Sequence, residues 1–395
     1  MTHLQLSRRA FLTASGALMV GLASPEVLAQ AAKPSPLSPN NPKLLADRLD
    51  AYLAIDKNGK IDVFYGAIDG GQGLETSIAQ MVAEELDLPA EKVIILAGDS
   101  GTSLNQGGAS GSTGVSHGGA TLRNAAAEAR LVMMEIASKQ LNVPVEELTT
   151  ANGVISAKSD ASKKMTYAEV VGGKWFETDV EWNGKIGNDL SMKTRAKLKD
   201  PKDYKIYGTS APRRDVEYKL LGTDDYVVDI KVPGMLHART IMPPIAGAIP
   251  VKVDESSIKD IPGAKVVFEK ALLGVVAPKE WDAIKASRQL KVTWSDVKAP
   301  FVEQKELFNH IRNAKVLKAG GSPKNVEPAK VEEAFKGADK VIEATYEWPF
   351  QSHASMGPAC AVVDYQPNGI TTLWTGSQKP HFAGDGVAAL LDLKP

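Results

Sequence analysis

The chain has 395 residues, of which 43% are hydrophobic and 24% are charged, and its formal net charge is -1. This composition is typical of a globular protein, and the length is sufficient for two or three domains. The balanced charge excludes the strongly basic surface of nucleic-acid-binding proteins. Because Cys360 is the only cysteine, the chain forms no internal disulfide, four-cysteine iron–sulfur cluster or haem attachment motif. Any electrons that it handles must therefore pass to another polypeptide.

Residues 1–31 are typical of an export signal. Arg8 and Arg9 precede an apolar run that reaches Leu22, and small residues suited to signal peptidase follow. The arginine pair predicts a twin-arginine signal, which exports folded proteins, and hence a periplasmic location. An uncleaved membrane anchor is the alternative, although the apolar run is short for a membrane span. The proline-rich stretch within residues 32–50 predicts a spacer.

Two successive strand–loop–helix units are predicted next. The alternation in residues 60–65 predicts a strand, and the tight loop at 69–73 precedes an amphipathic helix that runs from Leu74 towards Pro89. The second unit has a strand at 93–97, a glycine-rich loop and a helix at 120–141. Because both loops follow successive strands, we expect them to lie side by side at one edge of a sheet.

The glycine-rich loop, residues 106–119, is the strongest candidate site. It contains six glycines and three serines and no large apolar side chain. Glycines allow positive φ angles and close approach to a ligand, while amides and hydroxyls at a helix start offer donors to an anion. Its glycine spacing matches neither the P-loop nor the Rossmann pattern. The loop therefore predicts a cradle for another phosphate-bearing cofactor, with a flexible surface loop as the alternative.

Two polar residues close to this loop are further candidates. Gln72 can supply a side-chain amide from the first loop, and a simple turn residue is the alternative. Arg123, in the first turn of the second helix, is within reach of a bound anion, and a solvated surface residue is the alternative.

The remainder of the chain predicts a connector, a second α+β unit and a third unit. Residues 156–205 are lysine-rich and weakly patterned, which predicts the connector. Strands are predicted at 226–232, 265–268, 274–277, 341–346, 360–365 and 370–374, and helices at 281–290, near 302–312 and from near Asp385. Because the chain ends as a helix begins, we expect a fragment with an incomplete sheet. His353, Cys360 and His381 match no zinc spacing.

These motifs, in this order, resemble the large molybdopterin-binding subunit of the xanthine oxidase family. The branch is that of isoquinoline 1-oxidoreductase beta subunits and membrane-bound aldehyde dehydrogenases. The resemblance covers nearly the whole chain. It rests on the twin-arginine leader, the Gly-Gln-Gly loop at 71–73 ahead of Gln80, Ala83, Glu84 and Glu85, the loop at 106–112, and Arg213, Arg214 and Asp215 with residues 229–236.

The resemblance implies an α+β and α/β multidomain fold. It would consist of a molybdopterin-binding, aldehyde-oxidase-like core with an inserted α/β hammerhead domain, incomplete at the C-terminus. The implied parts are a twin-arginine signal peptide at 1–31, a spacer at 32–50, a molybdopterin-binding segment at 51–155, a connector at 156–205, a hammerhead-like domain at 206–300 and the truncated start of the main molybdopterin-binding domain at 301–395.

The resemblance also implies the cofactor, a molybdopterin that holds molybdenum, usually as its cytosine dinucleotide. No side chain of this chain would ligate the metal, because the pterin holds it. Glutamine amides can donate to oxo groups without adding charge. The implied cofactor-binding residues are Gln72 and Gly73 on the pterin side, Gly107, Gly108, Ala109, Ser110, Gly111, Ser112 and Thr113 at the phosphates and pterin, and Gln378 in Trp-x-Gly-x-Gln near the molybdenum ligands.

The implied activity is oxidation of an aldehyde or N-heteroaromatic compound, with water as the oxygen source and a glutamate as the base. That glutamate is expected beyond Pro395, so no catalytic residue is assigned in this chain, and the fragment alone is expected to be inactive. Electrons would pass to a small iron–sulfur subunit and often to a cytochrome c, which would attach the protein to the inner membrane. The single cysteine agrees with such a partner. Gly357 stands where many relatives carry an acid, which leaves the substrate open.

Two other functions are compatible with the sequence. A truncated, exported protein that binds a cofactor or partner without turnover is the main alternative, because the second half of the core is missing. A flavin or nicotinamide dehydrogenase is disfavoured, since neither fingerprint is present.

Overall fold

The computed structural model describes residues 44–269, 272–299, 303–317, 327–349, 351–352, 356–357, 359–367 and 369–393. The predicted signal at 1–31, most of the spacer and His353 lie outside these residues. The described residues form two compact units, one within Met1–Ile230 and Ala359–Pro395 and the other within Lys231–Pro358. No helix in the described ranges has the length and hydropathy of a membrane span.

The described residues contain strands and α-helices in alternating groups. The strands are β1 Leu53–Ile55, β2 Ile61–Tyr65, β3 Val93–Ala97, β4 Leu148–Ala151, β5 Val154–Ala157, β6 Lys164–Thr166, β7 His237–Thr240, β8 Pro250–Asp254, β9 Lys265–Glu269, β10 Leu272–Ala277, β11 Lys291–Trp294, β12 Ala361–Asp364 and β13 Thr372–Thr375. The α-helices are α1 Leu74–Glu85, α2 Ala120–Leu141, α3 Tyr167–Val171, α4 Arg214–Leu221, α5 Glu280–Gln289, α6 Leu307–Asn313, α7 Pro328–Lys336 and α8 Pro380–Leu390.

The first unit is built on the sheet β1-β2-β3, in which β2 pairs in parallel with β3 and antiparallel with β1. The predicted strands at 60–65 and 93–97 and both predicted helices are confirmed. Ile78 and Val82 of α1 and Leu122 and Met133 of α2 are buried in one core with the sheet. The regular apolar stripes of α1 and α2 explain why the sequence predicted them well.

Residues 156–205 are more structured than a connector requires. They continue the sheet β4-β5-β6 and contain α3, which begins with a capping box between Thr166 and Glu169. Tyr167, Val171 and Met192 are buried in the core of the first unit. The strands here are short and many neighbouring residues are surface lysines, so the apolar positions form no periodic pattern that the sequence alone would show.

The second unit contains the antiparallel sheet β7-β10-β9 and the pair β8-β11. Its own core includes Leu273 and Val275 of β10 and Ala286 of α5. The predicted strands at 265–268 and 274–277 and the helix at 281–290 are confirmed, which agrees with the expected α+β character.

Three predictions of local structure were wrong. Residues 226–232 form a 3₁₀ turn, Val227–Asp229, because the Asp229 carboxylate accepts a hydrogen bond from the backbone N–H of Tyr226 at 3.1 Å. Residues 341–346 are exposed and form no strand in the structure. Helix α8 begins at Pro380 rather than near Asp385, since proline suits the first turn of a helix.

Candidate functional site

Both glycine loops follow the carboxyl ends of the parallel strands β2 and β3. The backbone N–H of Gly98, directly after β3, donates to the carbonyl of Tyr65 at 3.0 Å. Gly114 lies against the start of α1, where an added β-carbon would be 2.7 Å from the Leu74 side chain. The expectation that the two loops lie side by side at one sheet edge is therefore confirmed.

The first loop is organised by Asp69. Its carboxylate accepts hydrogen bonds from the backbone N–H groups of Gly71 at 2.9 Å, Gly73 at 3.1 Å and Glu75 at 3.1 Å. Gly73 has φ +83 at the start of α1, a backbone conformation that favours glycine. Gln72 is thereby presented on the exposed tip of a fixed loop.

Arg213 holds the same loop from the outside. Its Nη2 donates to the Gly71 carbonyl at 2.8 Å, and Nε donates to Asp215 at 3.0 Å. Hydrogen bonds from Arg213 and then Lys219 hold the pKa of Asp215 well below its usual range. The pair therefore remains ionised, and Arg213 connects the first loop to the residues just before α4.

The first two glycines of the second loop serve packing within the protein. Gly107 has φ +86, and an added β-carbon would lie 2.1 Å from Asn188 Oδ1. A β-carbon on Gly108 would lie 2.6 Å from Lys379 Cγ. Asn188 also exchanges hydrogen bonds with the backbone N–H and carbonyl of Gly108, at 3.1 and 2.9 Å. Close packing against Asn188 and Lys379 therefore accounts for glycine at both positions, and their contact with a cofactor stays a prediction.

The exposed tip of the loop, Ser110, Gly111 and Ser112, has the character expected of an anion site. Gly111 and Ser112 have φ +59 and +57. The backbone N–H groups of Gly111 and Ser112 donate no hydrogen bond to any acceptor in the described ranges. Thr113 closes the tip by donating from Oγ1 to the Ser110 carbonyl at 2.7 Å. The tip leads directly into the π-helical turn Gly114–Gly119 and α2, so that free donors lie at a helix start.

The loop also contacts the segment that carries Gln378. The backbone N–H of Ala109 donates to the Gln378 carbonyl at 2.9 Å, and the Gln378 residue is exposed. The structure thus brings Ala109 and Gln378 together through their backbones. Among the hydrogen bonds of the described residues, none joins Gln72 to either of them.

Glu84 and Glu85, which belong to the motif after the first loop, are buried and anchor the chain that precedes α4. Glu84 accepts hydrogen bonds from the backbone N–H groups of Lys205, Ile206 and Tyr207 at 2.9, 2.6 and 3.0 Å. Burial acts to raise the pKa of Glu84, but these three donors and Lys199 outweigh it and lower the pKa. Glu85 accepts a hydrogen bond from Arg123 at 2.8 Å, so both acids hold the fold together through contacts with residues outside the loop tip.

Arg123 does not reach towards the tip. Its Nε donates to Glu85 at 2.8 Å, and its Nη2 donates to the Lys199 carbonyl at 2.8 Å. The guanidinium also lies over the Tyr204 ring, 5.2 Å from the centroid. The prediction that Arg123 contacts a bound anion is therefore not supported, because its charge is already paired.

Sequence reasoning missed three residues that shape the site. Asp69 carried a signal, since an Asp side chain in a turn commonly accepts a hydrogen bond from the backbone N–H two residues later, as it does here from Gly71. Asn188 lies 80 residues from the glycines that it binds, and Gln106 was treated as the edge of the loop. Only the folded structure reveals the contacts of these two residues.

The tip offers hydrogen-bond donors and carries no negative charge. Residues 106–119 contain no acidic side chain, and the free N–H groups of Gly111 and Ser112 lie beside the hydroxyls of Ser110 and Ser112. Among the described residues, no group of three or more His, Cys, Asp or Glu is arranged to hold a metal ion. The tip therefore suits a ligand that brings its own negative charge.

Comparison with known proteins identifies the family. Residues 28–220 and 317–395 each match a family model described as a molybdopterin cofactor-binding domain. The chain is 34% identical to a nicotinate dehydrogenase subunit of Pseudomonas putida over 360 residues, which is 89% of this chain and 29% of the relative. It is 27% identical to the isoquinoline 1-oxidoreductase beta subunit of Brevundimonas diminuta, over 99% of this chain and 54% of the relative.

A third relative, the membrane-bound aldehyde dehydrogenase [pyrroloquinoline-quinone] of Gluconacetobacter polyoxogenes, is 26% identical over 94% of this chain and 48% of its own length. The chain thus spans about half or less of the length of these three relatives. The two matched stretches contain both glycine loops and Gln378. The protein therefore belongs to the molybdopterin cofactor-binding family that includes isoquinoline 1-oxidoreductase beta subunits and membrane-bound aldehyde dehydrogenases.

Proposed function

We propose that this chain is the molybdopterin-binding part of a molybdenum hydroxylase that oxidises an aldehyde or an N-heteroaromatic compound with water as the oxygen source. The observation that carries the proposal is the hydrogen bond from the Ala109 N–H to the Gln378 carbonyl at 2.9 Å. It joins the two family-matched stretches directly beside the exposed loop tip. The substrate class follows from the relatives, whose names refer to nicotinate, isoquinoline and aldehydes.

The cofactor is proposed to be molybdopterin in its cytosine dinucleotide form. The N–H groups of Gly111 and Ser112, with the hydroxyls of Ser110 and Ser112, would hold its phosphates. Gln72 would approach the pterin from the neighbouring loop, and Gln378 from the segment bonded to Ala109. When bound, the cofactor supplies the two-electron oxidation of the substrate. The residues of this chain bind and orient it.

The other residues assigned to the cofactor support this site in a different way. Gly73 is needed for the fixed shape of the first loop, while Gly107, Gly108 and Thr113 are needed for the shape of the second. The contact of Gly73 with Asp69 fixes the first loop, and the contacts of Gly108 and Thr113 with Asn188 fix the second loop on both sides of the tip. Such preorganisation reduces the entropic cost of binding.

Electron transfer, location and domain structure complete the proposal. With Cys360 as the only cysteine, the electrons are proposed to leave through a small iron–sulfur subunit and then a cytochrome c. The catalytic glutamate is proposed to lie in a region that the relatives have and this chain does not span.

A periplasmic location through residues 1–31 rests on the sequence alone. The separate compact unit within Lys231–Pro358 supports an inserted hammerhead-like domain.

The function is tested by purifying the full chain, with its partner subunit, from a host that makes molybdopterin. We expect stoichiometric molybdenum by elemental analysis and pterin fluorescence after oxidation. Dye reduction with nicotinate or an aldehyde is expected when the region that carries the proposed catalytic glutamate is produced together with the chain. Cells grown with tungstate provide a control in which the protein accumulates without activity. Absence of both pterin and molybdenum would reject the proposal. Bound cofactor without turnover of either substrate would favour the non-catalytic alternative.

A variant pair tests the loop tip itself. Ser112→Asp places a negative charge beside the free donors, so we expect it to lower the pterin content strongly. Ala161→Asp adds the same charge at an exposed turn of the same unit and is expected to retain the pterin. Equal pterin contents in the two variants would exclude the tip as the phosphate site.

A further inference from the structure

Gln106 is the first residue of the second glycine loop and is only 6% exposed. Its Oε1 accepts a hydrogen bond from the backbone N–H of Gly66 at 3.0 Å, directly after β2. Because a backbone N–H can only donate, this contact identifies the oxygen end of the side-chain amide. The other end, Nε2, is therefore a buried donor at the carboxyl edge of β2 and β3.

This donor is not used by the fold. Among the protein atoms of the described residues, Gln106 Nε2 has no hydrogen-bond partner, and a buried amide N–H without an acceptor is destabilising. The contact with Gly66 requires only an acceptor, which a carboxylate would also provide. Gln80, also buried, differs in this respect, because its Nε2 donates to the carbonyls of Ile206 at 2.9 Å and Thr209 at 3.0 Å.

Among the described residues, two further buried polar atoms without a partner belong to residues of, or bonded to, the segment just before Gln106. Thr102 Oγ1 and His381 Nε2 are also buried without a partner in the described part of the chain. His381 interacts with the backbone of Leu104, which lies between Thr102 and Gln106 in sequence. Burial lowers the pKa of His381, against the opposing effects of Asp385, Asp99 and Leu104, so the ring is neutral at neutral pH.

We infer that Gln106 is a further binding residue of this site and that its Nε2 donates a hydrogen bond to an acceptor oxygen of the phosphorylated pterin. The inference rests on the proposed function and adds Gln106 to the residues assigned there to the cofactor, which begin at Gly107. Ligands of parallel sheets bind at the carboxyl ends of the strands, which is where Gln106 lies. A neutral amide there donates to an anionic ligand, whereas a carboxylate would repel it.

The test compares Gln106→Glu and Gln106→Met with Gln80→Glu in the full chain, produced in a host that makes molybdopterin. The glutamate variant keeps an oxygen for Gly66 and removes Nε2, and the methionine variant removes the amide without adding charge. Pterin content per folded protein, the rate of pterin release and the unfolding midpoint are measured for each. Loss of one hydrogen bond to an ionised group should accelerate release about tenfold in both Gln106 variants. Gln80→Glu should lower the unfolding midpoint and leave release unchanged.

Each result decides the inference. Faster release in both Gln106 variants supports it, because the normalisation to folded protein removes the contribution of stability. Unchanged release in both overturns it while the proposed function stands. Faster release in Gln106→Glu alone also overturns it, since the cause is then charge repulsion. A wild-type chain without pterin rejects the proposed function and this inference together.

Discussion

Glu85 carries a buried negative charge that two arginines share. Its carboxylate lies 2.7 Å from Arg123 and 3.2 Å from Arg130, and both arginine side chains are only 18% exposed. Removing the carboxylate would leave two largely buried cations without the anion that neutralises them. We therefore expect Glu85→Ala to lower the free energy of unfolding by about 3–5 kcal/mol, measured by urea unfolding with circular dichroism.

Glu135 provides the matched control for this change. It also pairs with an arginine, Arg195, at 3.1 Å, but its side chain is 38% exposed. Because water solvates both charges there, Glu135→Ala should change the free energy of unfolding by less than about 1 kcal/mol. If Glu85→Ala and Glu135→Ala lowered the free energy of unfolding by similar amounts, burial would not determine how much these ion pairs contribute to stability.

At the scale of elements, the second loop has glycines for two different reasons. At Gly107, with φ +86, a β-carbon would clash with Asn188 at 2.1 Å, whereas at Gly111, with φ +59, the nearest atom would be 3.9 Å away. Gly111→Ala should lower the free energy of unfolding by about 1–2 kcal/mol, which is the cost of placing a non-glycine residue in the left-handed conformation. Gly107→Ala adds overpacking and should cost about 2–5 kcal/mol in total. Denaturant unfolding measures both variants, and equal costs would contradict the packing role of Gly107.

Much of the element order, but less of the site, was predictable from the sequence. Helices α1 and α2 have long apolar stripes, so local pattern alone places them correctly. The apolar runs at 226–232 and 341–346 resemble strands. A strand, however, also requires a second strand to pair with, and local sequence does not reveal whether one is available. Asn188 and Gln106 act through contacts between residues far apart in the chain. Their roles therefore depend on tertiary structure.

At the scale of the whole molecule, the buried apolar side chains form separate clusters in the two units. The cluster of the first unit includes Leu86, and that of the second includes Leu273 and Val275. Within the described residues, the two clusters share no member. Separate cores allow separate steps of unfolding, because each unit buries its own apolar side chains.

We therefore expect Leu86→Ala and Leu273→Ala to destabilise different units. Both leucines are buried, and truncation of a buried leucine costs about 2–5 kcal/mol in the unit that contains it. Hydrogen exchange with mass spectrometry, in moderate denaturant, resolves the effect by segment. Leu273→Ala should accelerate exchange in β10 and leave α2 unchanged, and Leu86→Ala should do the reverse. If either variant accelerated exchange equally in β10 and α2, the chain would unfold as one cooperative unit, and an inserted domain with its own core would be rejected.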